Sequence, residues 1–188
     1  MVFITFNEIV GMAAVSLIIG YILSGYIKKP KGPFEIYRNT WFDWDDVKFA
    51  TIIAAPAVIL HELGHKFVGM GFGLPAVFHA YWPGLGFGVI LKLIGSPFLI
   101  LAPAYVSFPA TASPLQITFI ALAGPLVNLM LWLGAALYLK YHKRKLSRNS
   151  LIALMITKKL NMFLFIFNML PIPPLDGSKV FAGLIALL

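Results

Sequence analysis

The chain has 188 residues, 60% of them hydrophobic and 12% charged, with a mean hydropathy of +0.86. Ordinary soluble domains carry roughly a quarter charged residues, so this balance argues against one, excludes disorder and collagen, and makes lipid the main solvent. There is no cysteine, which leaves His, Asp and Glu to hold any metal, and the net charge of +8 comes mostly from one stretch, residues 140 to 159.

In chain order, residues 9 to 27 form an uncharged apolar run, closed by Lys28 and Lys29, that is long enough for a first transmembrane helix. A cleavable signal peptide would want a basic leader and a shorter core, whereas only Glu8 precedes this run, and Glu8 is expected in the interface. Ser16, Gly20 and Ser24 share one face, either for close approach of another helix or simply as small residues facing lipid. Residues 28 to 48, with Pro30, Gly32, Pro33, Trp41, Asp43, Trp44, Asp45 and Asp46, read as a connecting loop with aromatic anchors.

A second span covers 49 to 73 and contains His61, Glu62 and His65. Residues 74 to 114 are apolar but cut by Pro75, Pro83, Pro97, Pro103 and Pro109, which predicts short strands or re-entrant pieces instead of a straight helix. Within them, 84 to 92 (GLGFGVILK) reads as a strand edge or a glycine-rich interfacial loop, and His79 and Lys92 are expected to be exposed. A third span runs from 115 to 139, kinked at Gly124 and Pro125. The basic stretch, with Lys140, Lys143, Arg144, Lys145, Arg148, Lys158 and Lys159 and no acid, then predicts a loop beside lipid headgroups, with no nucleic-acid partner. The last span, 160 to 188, is broken by Pro171, Pro173 and Pro174 just before Asp176. The expected fold is an all-α polytopic transmembrane helix bundle, one domain over 1 to 188, with a small extended or re-entrant membrane-associated segment.

Residues 61 to 65 read HELGH, which on a helix sets two imidazoles on one face with a carboxylate beside them. Each ionisable group inside a span costs at least a few kcal/mol, so three within five residues call for a compensator, and a divalent metal is the obvious one. The alternative has neutral, hydrogen-bonded histidines and a Glu62–Lys66 pair, although Lys66 can equally snorkel outward. A catalytic zinc usually has three protein ligands. Asp176 is the only acid after Glu62, and its other reading is a turn or helix-cap residue in PLDG. His61 lies about 18 Å along a helix from Phe49, and Asp176 at most about 24 Å from Leu160, so both can reach one depth near residues 74 to 114. One Zn²⁺ with the Asp176 and Glu62 carboxylates sums to zero charge, the condition for burial.

HELGH in the second span, AGPLVN at 123 to 128 in the third and NMLPIPPLDG at 168 to 177 in the last occur in one order. In this the chain resembles the site-2 protease family of intramembrane zinc metalloproteases, from roughly Phe49 onward. The resemblance implies one zinc per chain held by His61, His65 and Asp176, with Glu62 as catalytic base. It also implies a transmembrane protein as substrate, regulated intramembrane proteolysis, and a multi-pass position in the cell membrane. Members often continue with further helices, whereas this sequence ends twelve residues after Asp176, which leaves a minimal or a longer chain open.

By the same resemblance Asn168 helps position substrate or stabilise an oxyanion; its other reading is an amide capping broken-helix carbonyls. Asn128 reads as a helix-to-helix hydrogen bond or a substrate contact. Lys179 can pair with a carboxylate or snorkel. A membrane metal-ion transporter or metal-binding protein would explain the intramembrane ligands but not the carboxylate between two histidines, and an inactive protease-like scaffold would need a missing catalytic part. The positive-inside rule puts 140 to 159 in the cytoplasm and 74 to 114 outside, whereas the family keeps zinc nearer the cytoplasm; the catalytic motifs are the more specific signal. A helical substrate would have to unwind before cleavage, so helix-weakening residues are expected in it.

Overall fold

The computed structural model describes residues 3–32, 42–96 and 102–186; Pro33, Trp41 and Pro97 lie outside the described residues. The first helix, α1 (Phe6–Leu23), starts earlier than its apolar run because Thr5 and Glu8 form a capping box: the Thr5 hydroxyl accepts from the Glu8 amide, and the Glu8 carboxylate accepts from the Thr5 amide at 2.8 Å. Glu8 is therefore buried within the fold, in the first turn of α1. Helix α2 (Trp44–Gly71) is capped by Asp43, whose carboxylate accepts from the Asp45 amide. Lys29 and Lys31 pair with Asp45 and Asp43 at 2.9 and 2.8 Å. The Lys31 ammonium holds the Asp43 carboxyl below the usual carboxylate range.

The proline-cut region folds into strand β1 (Val77–Ala80), helix α3 (Trp82–Leu93) and strand β2 (Ala104–Ser107). The two strands pair antiparallel, from Val77 opposite Ser107 to Ala80 opposite Ala104. Residues 84 to 92 are thus helical, which corrects the strand-or-loop expectation. Pro83 sits in the first turn of α3, where its missing N–H costs nothing, and carries a ready helical φ. Lys92 is not free at the surface: its ammonium donates to the Tyr21 carbonyl and to the Ser24 hydroxyl (2.7 Å) and lies 3.7 Å from the Tyr21 ring centre, closing the end of α1. His79 is half-buried, bonded to the Ser107 hydroxyl at 2.9 Å and stacked on Tyr105.

Helix α4 (Pro114–His142) opens with a second capping box, Ser113 with Gln116, and carries Pro125 inside it. A tight turn with a 3₁₀ piece at Lys143–Lys145 leads to α5 (Arg148–Asn168), capped by Ser147, whose hydroxyl accepts from the Ser150 amide at 3.2 Å. The basic loop expected over 140 to 159 is therefore only a turn, and Lys158 and Lys159 belong to α5. Cations on a helix flank can extend toward water, so they need not end it. The final span likewise divides, with α5 ending at Asn168 and a short α6 (Asp176–Ile185) following the proline break.

Among the described residues α1, α2, α4 and α5 are long and apolar enough to cross a membrane, a set compatible with a multi-pass membrane protein. The fold is a helical bundle with one small two-stranded sheet. Helix α2 lies between α1 and α4, and α4 packs on α5 and α6. The α1–α2 contact depends on Gly20, where an added Cβ would fall 1.7 Å from the Thr51 hydroxyl, while the Ser16 and Ser24 hydroxyls turn back to their own helix carbonyls. Val15, Ile19, Ala54, Phe78 and Leu85 pack at the junction of α1, α2, α3 and β1.

The sheet has two unlike edges. On β1 the Phe78 amide points outward and donates to Glu8 at 2.8 Å; the Lys66 ammonium bonds the same carboxylate and the Ala76 carbonyl (2.9 Å). On β2, the Tyr81 amide bonds the Pro103 carbonyl at 2.9 Å, so by antiparallel alternation Tyr105 turns its backbone groups to β1 and Ala104 and Val106 turn theirs away.

Candidate active site

Residues 61 and 65 are one helical turn apart on α2, and their rings meet edge to face with centroids 4.8 Å apart. Their Nε2 atoms are 3.2 Å from each other. The proline break brings the start of α6 to the same point: Asp176 Oδ2 lies 3.1 Å from His61 Nε2 and 3.3 Å from His65 Nε2. All three side chains are nearly enclosed, 10%, 9% and 14% exposed for His61, His65 and Asp176.

The far side of each ring fixes what these atoms can do. His65 Nδ1 lies 2.6 Å from the Ile120 carbonyl, which can only accept, so that nitrogen carries the hydrogen. His61 Nδ1 lies 2.6 Å from Asn128 Oδ1, and the Asn128 amide nitrogen is committed elsewhere, to the Ala57 carbonyl and Asn161 Oδ1, both at 2.9 Å. In the neutral rings both Nε2 atoms then present lone pairs, and a carboxylate oxygen presents a third. Three acceptors facing one another repel unless a cation stands among them. Zinc bonds of about 2.0–2.1 Å in a tetrahedron put donor atoms about 3.3 Å apart, so the spacing observed here fits that ion. His61, His65 and Asp176 form the one group of three such residues, among the described residues, whose donor atoms converge.

Helix α4 completes the enclosure. A Cβ on Gly124 would fall 2.4 Å from His65 Nε2 and 2.7 Å from His61 Nε2, so the glycine of AGPLVN lets the α4 backbone lie directly against the two rings. In front of the three acceptors is a cavity of about 430 Å³, walled by β2, α4, the end of α5 and the start of α6. Glu62 lines it and is 8% exposed. Its carboxylate bonds no other described side chain, and Lys66, the partner the sequence offered one turn further along α2, is held by Glu8 instead. Lys179, one turn after Asp176, lines the same cavity.

The two asparagines named from the sequence are placed differently. Asn168 is in the cavity wall, with its amide nitrogen donating to the Leu164 carbonyl at 3.0 Å. Asn128 is fully buried behind His61 and does not line the cavity. Asn161, which sequence reasoning passed over, is also fully buried and touches Asn128. The signal for it was available: an amide in the middle of the apolar run of α5 needs a partner within the bundle.

A protein of Methanocaldococcus jannaschii named "Putative zinc metalloprotease" is 36% identical over 132 residues, 69% of this chain and 66% of that protein. The matched chain thus spans just under two thirds of the relative's length. No family model matches the chain, and no solved structure does.

Proposed function

We propose that this chain is an intramembrane zinc endopeptidase of the site-2 type, hydrolysing peptide bonds within or near transmembrane segments of membrane proteins. One observation carries the reading: a carboxylate with no described side-chain partner, Glu62, shares a cavity with three converged acceptors among apolar helices. His61, His65 and Asp176 would hold the zinc. Bound there, zinc supplies a Lewis acid that polarises a carbonyl and makes water acidic enough to react near neutral pH. Glu62 takes a proton from the attacking water and returns it to the leaving amine. The apolar walls exclude bulk water and strengthen each of these interactions.

A helical substrate must unwind before its carbonyls are reachable. The backbone offered to an unwound segment along the cavity is β2, through Ala104 and Val106, and not residues 84 to 92. Asn168 stands in the wall where it can contact that segment. The cations flanking the α4–α5 turn, Lys140, Lys143, Arg144, Lys145 and Arg148, are exposed and lie at the headgroups in this reading.

The test is cleavage of a helix-destabilised transmembrane substrate by the wild type and by Glu62→Gln, with bound metal measured in both. Zinc in both proteins and cleavage only by the wild type is the expected result. Equal cleavage by the two would overturn the role of Glu62, and zinc without any cleavage would favour a metal-binding or transport role.

A further inference from the structure

We infer that Asn161 is a positioning residue for the zinc site: together with the Ala57 carbonyl it holds the Asn128 amide in the orientation that leaves His61 Nε2 free for metal. The inference deepens the zinc-protease reading and rests on it for the identity of the ion.

The relay runs through three helices and has a fixed direction. At its outer end the Asn161 amide nitrogen donates to the Thr157 carbonyl at 2.9 Å. A backbone carbonyl can only accept, so the Asn161 amide cannot be reversed, and its Oδ1 must face Asn128. Asn128 answers with its amide nitrogen at 2.9 Å and gives its second N–H to the Ala57 carbonyl, again an obligate acceptor. Both Asn128 hydrogens are then spent, and only Oδ1 remains for His61, 2.6 Å away. The hydrogen of that last bond must come from His61 Nδ1, which in the neutral ring leaves the Nε2 lone pair aimed at Asp176 and His65. Asn128 and Asn161 are both 0% exposed, so no water competes for these bonds. His65 needs no such relay, because the Ile120 carbonyl imposes the same choice directly.

Helix α5 otherwise buries almost nothing: Asn161 is its one buried residue among those described. A side chain that merely packed there would be apolar, and an amide in a lipid-surrounded helix persists where its bonds are needed. Removing a group that orients a metal-bound histidine typically costs 10–100-fold in metal affinity.

The experiment uses the full chain in detergent and compares wild type, Asn161→Leu and Asn161→Asp. Asp keeps an acceptor oxygen toward Asn128; Leu does not. Zinc affinity is read by chelator competition, and ligand geometry by the visible bands of the Co²⁺ form. We expect Asn161→Leu to bind zinc about 10–100-fold more weakly with shifted Co²⁺ bands, and Asn161→Asp to stay within about threefold of wild type. In metal-free protein, the ¹⁵N-imidazole spectrum should show a slowly exchanging His61 Nδ1–H in the wild type that is lost in Asn161→Leu. Wild-type affinity and an unchanged Nδ1–H signal in Asn161→Leu would overturn the inference, as would equal loss in the Leu and Asp variants. Absence of zinc from the wild type would instead sink the zinc-protease reading, and the metal-free spectrum would still decide the relay.

Discussion

Helix α2 carries two buried ionic clusters within six residues, and they are built on opposite plans. In the first, Lys66 meets Glu8: the ammonium has a carboxylate and the Ala76 carbonyl, and the carboxylate has the ammonium, the Phe78 amide and Thr5. Donors here face acceptors, and the two charges cancel. In the second cluster the neutral rings of His61 and His65 and the Asp176 carboxylate present only acceptors to one another, and Glu62 beside them has no partner among the described residues. The first cluster is complete without any ligand and ties α1, α2 and β1 together. The second is complete only with a cation. Burial alone does not mark a functional site in lipid; an excess of one hydrogen-bonding sense does.

The comparison can be broken most forcefully at the metal ligands. His61→Ala or Asp176→Ala should remove zinc and reduce cleavage to background, and a chelator should do the same to the wild type, with activity restored by added zinc. Glu62→Gln should retain zinc at wild-type stoichiometry and lower the rate by about 10²–10⁴-fold, the usual contribution of a positioned proton-transfer group. Gly124→Ala introduces a methyl 2.4 Å from His65 Nε2, so rings or backbone must shift. A displacement of about 1 Å at the reacting centre costs about 10²-fold, which zinc titration and rate measurements on this variant would reveal.

The opposite cluster should respond in stability and not in chemistry. Lys66→Met strands the Glu8 carboxylate and should destabilise the fold by about 3–5 kcal/mol in denaturant titrations, with the zinc content of the molecules that remain folded unchanged. Replacing both partners, Glu8→Leu with Lys66→Met, should recover most of that loss, because two matched polar groups are removed together. Loss of zinc from folded Lys66→Met would show that the two clusters are not independent.

Much of the site was legible because its chemistry is local. HELGH places three groups on one helical turn by spacing alone, and Asp176 stands out as the only later acid. Long uninterrupted apolar runs likewise announced α1, α2 and α4. Helix α5 was obscured because Lys158 and Lys159 interrupt its apolar run, while its start depends on the single cap at Ser147. The Thr5–Glu8 box lies just ahead of the uncharged run that marked the first span, so the run alone did not reveal it. Contacts between distant segments left no local trace: Lys66 with Glu8, Lys92 with Tyr21, and the pairing of β1 with β2 across an intervening helix. The role of Gly124 became visible only when α4 was laid against the two histidine rings.

The most direct measurement is zinc-edge X-ray absorption, with metal stoichiometry, on the purified full chain. The account predicts one zinc per chain, with two imidazole nitrogens and a carboxylate oxygen at about 2.0–2.2 Å. A chain that takes up no zinc when supplied in excess, or holds it without the two imidazoles, would contradict it.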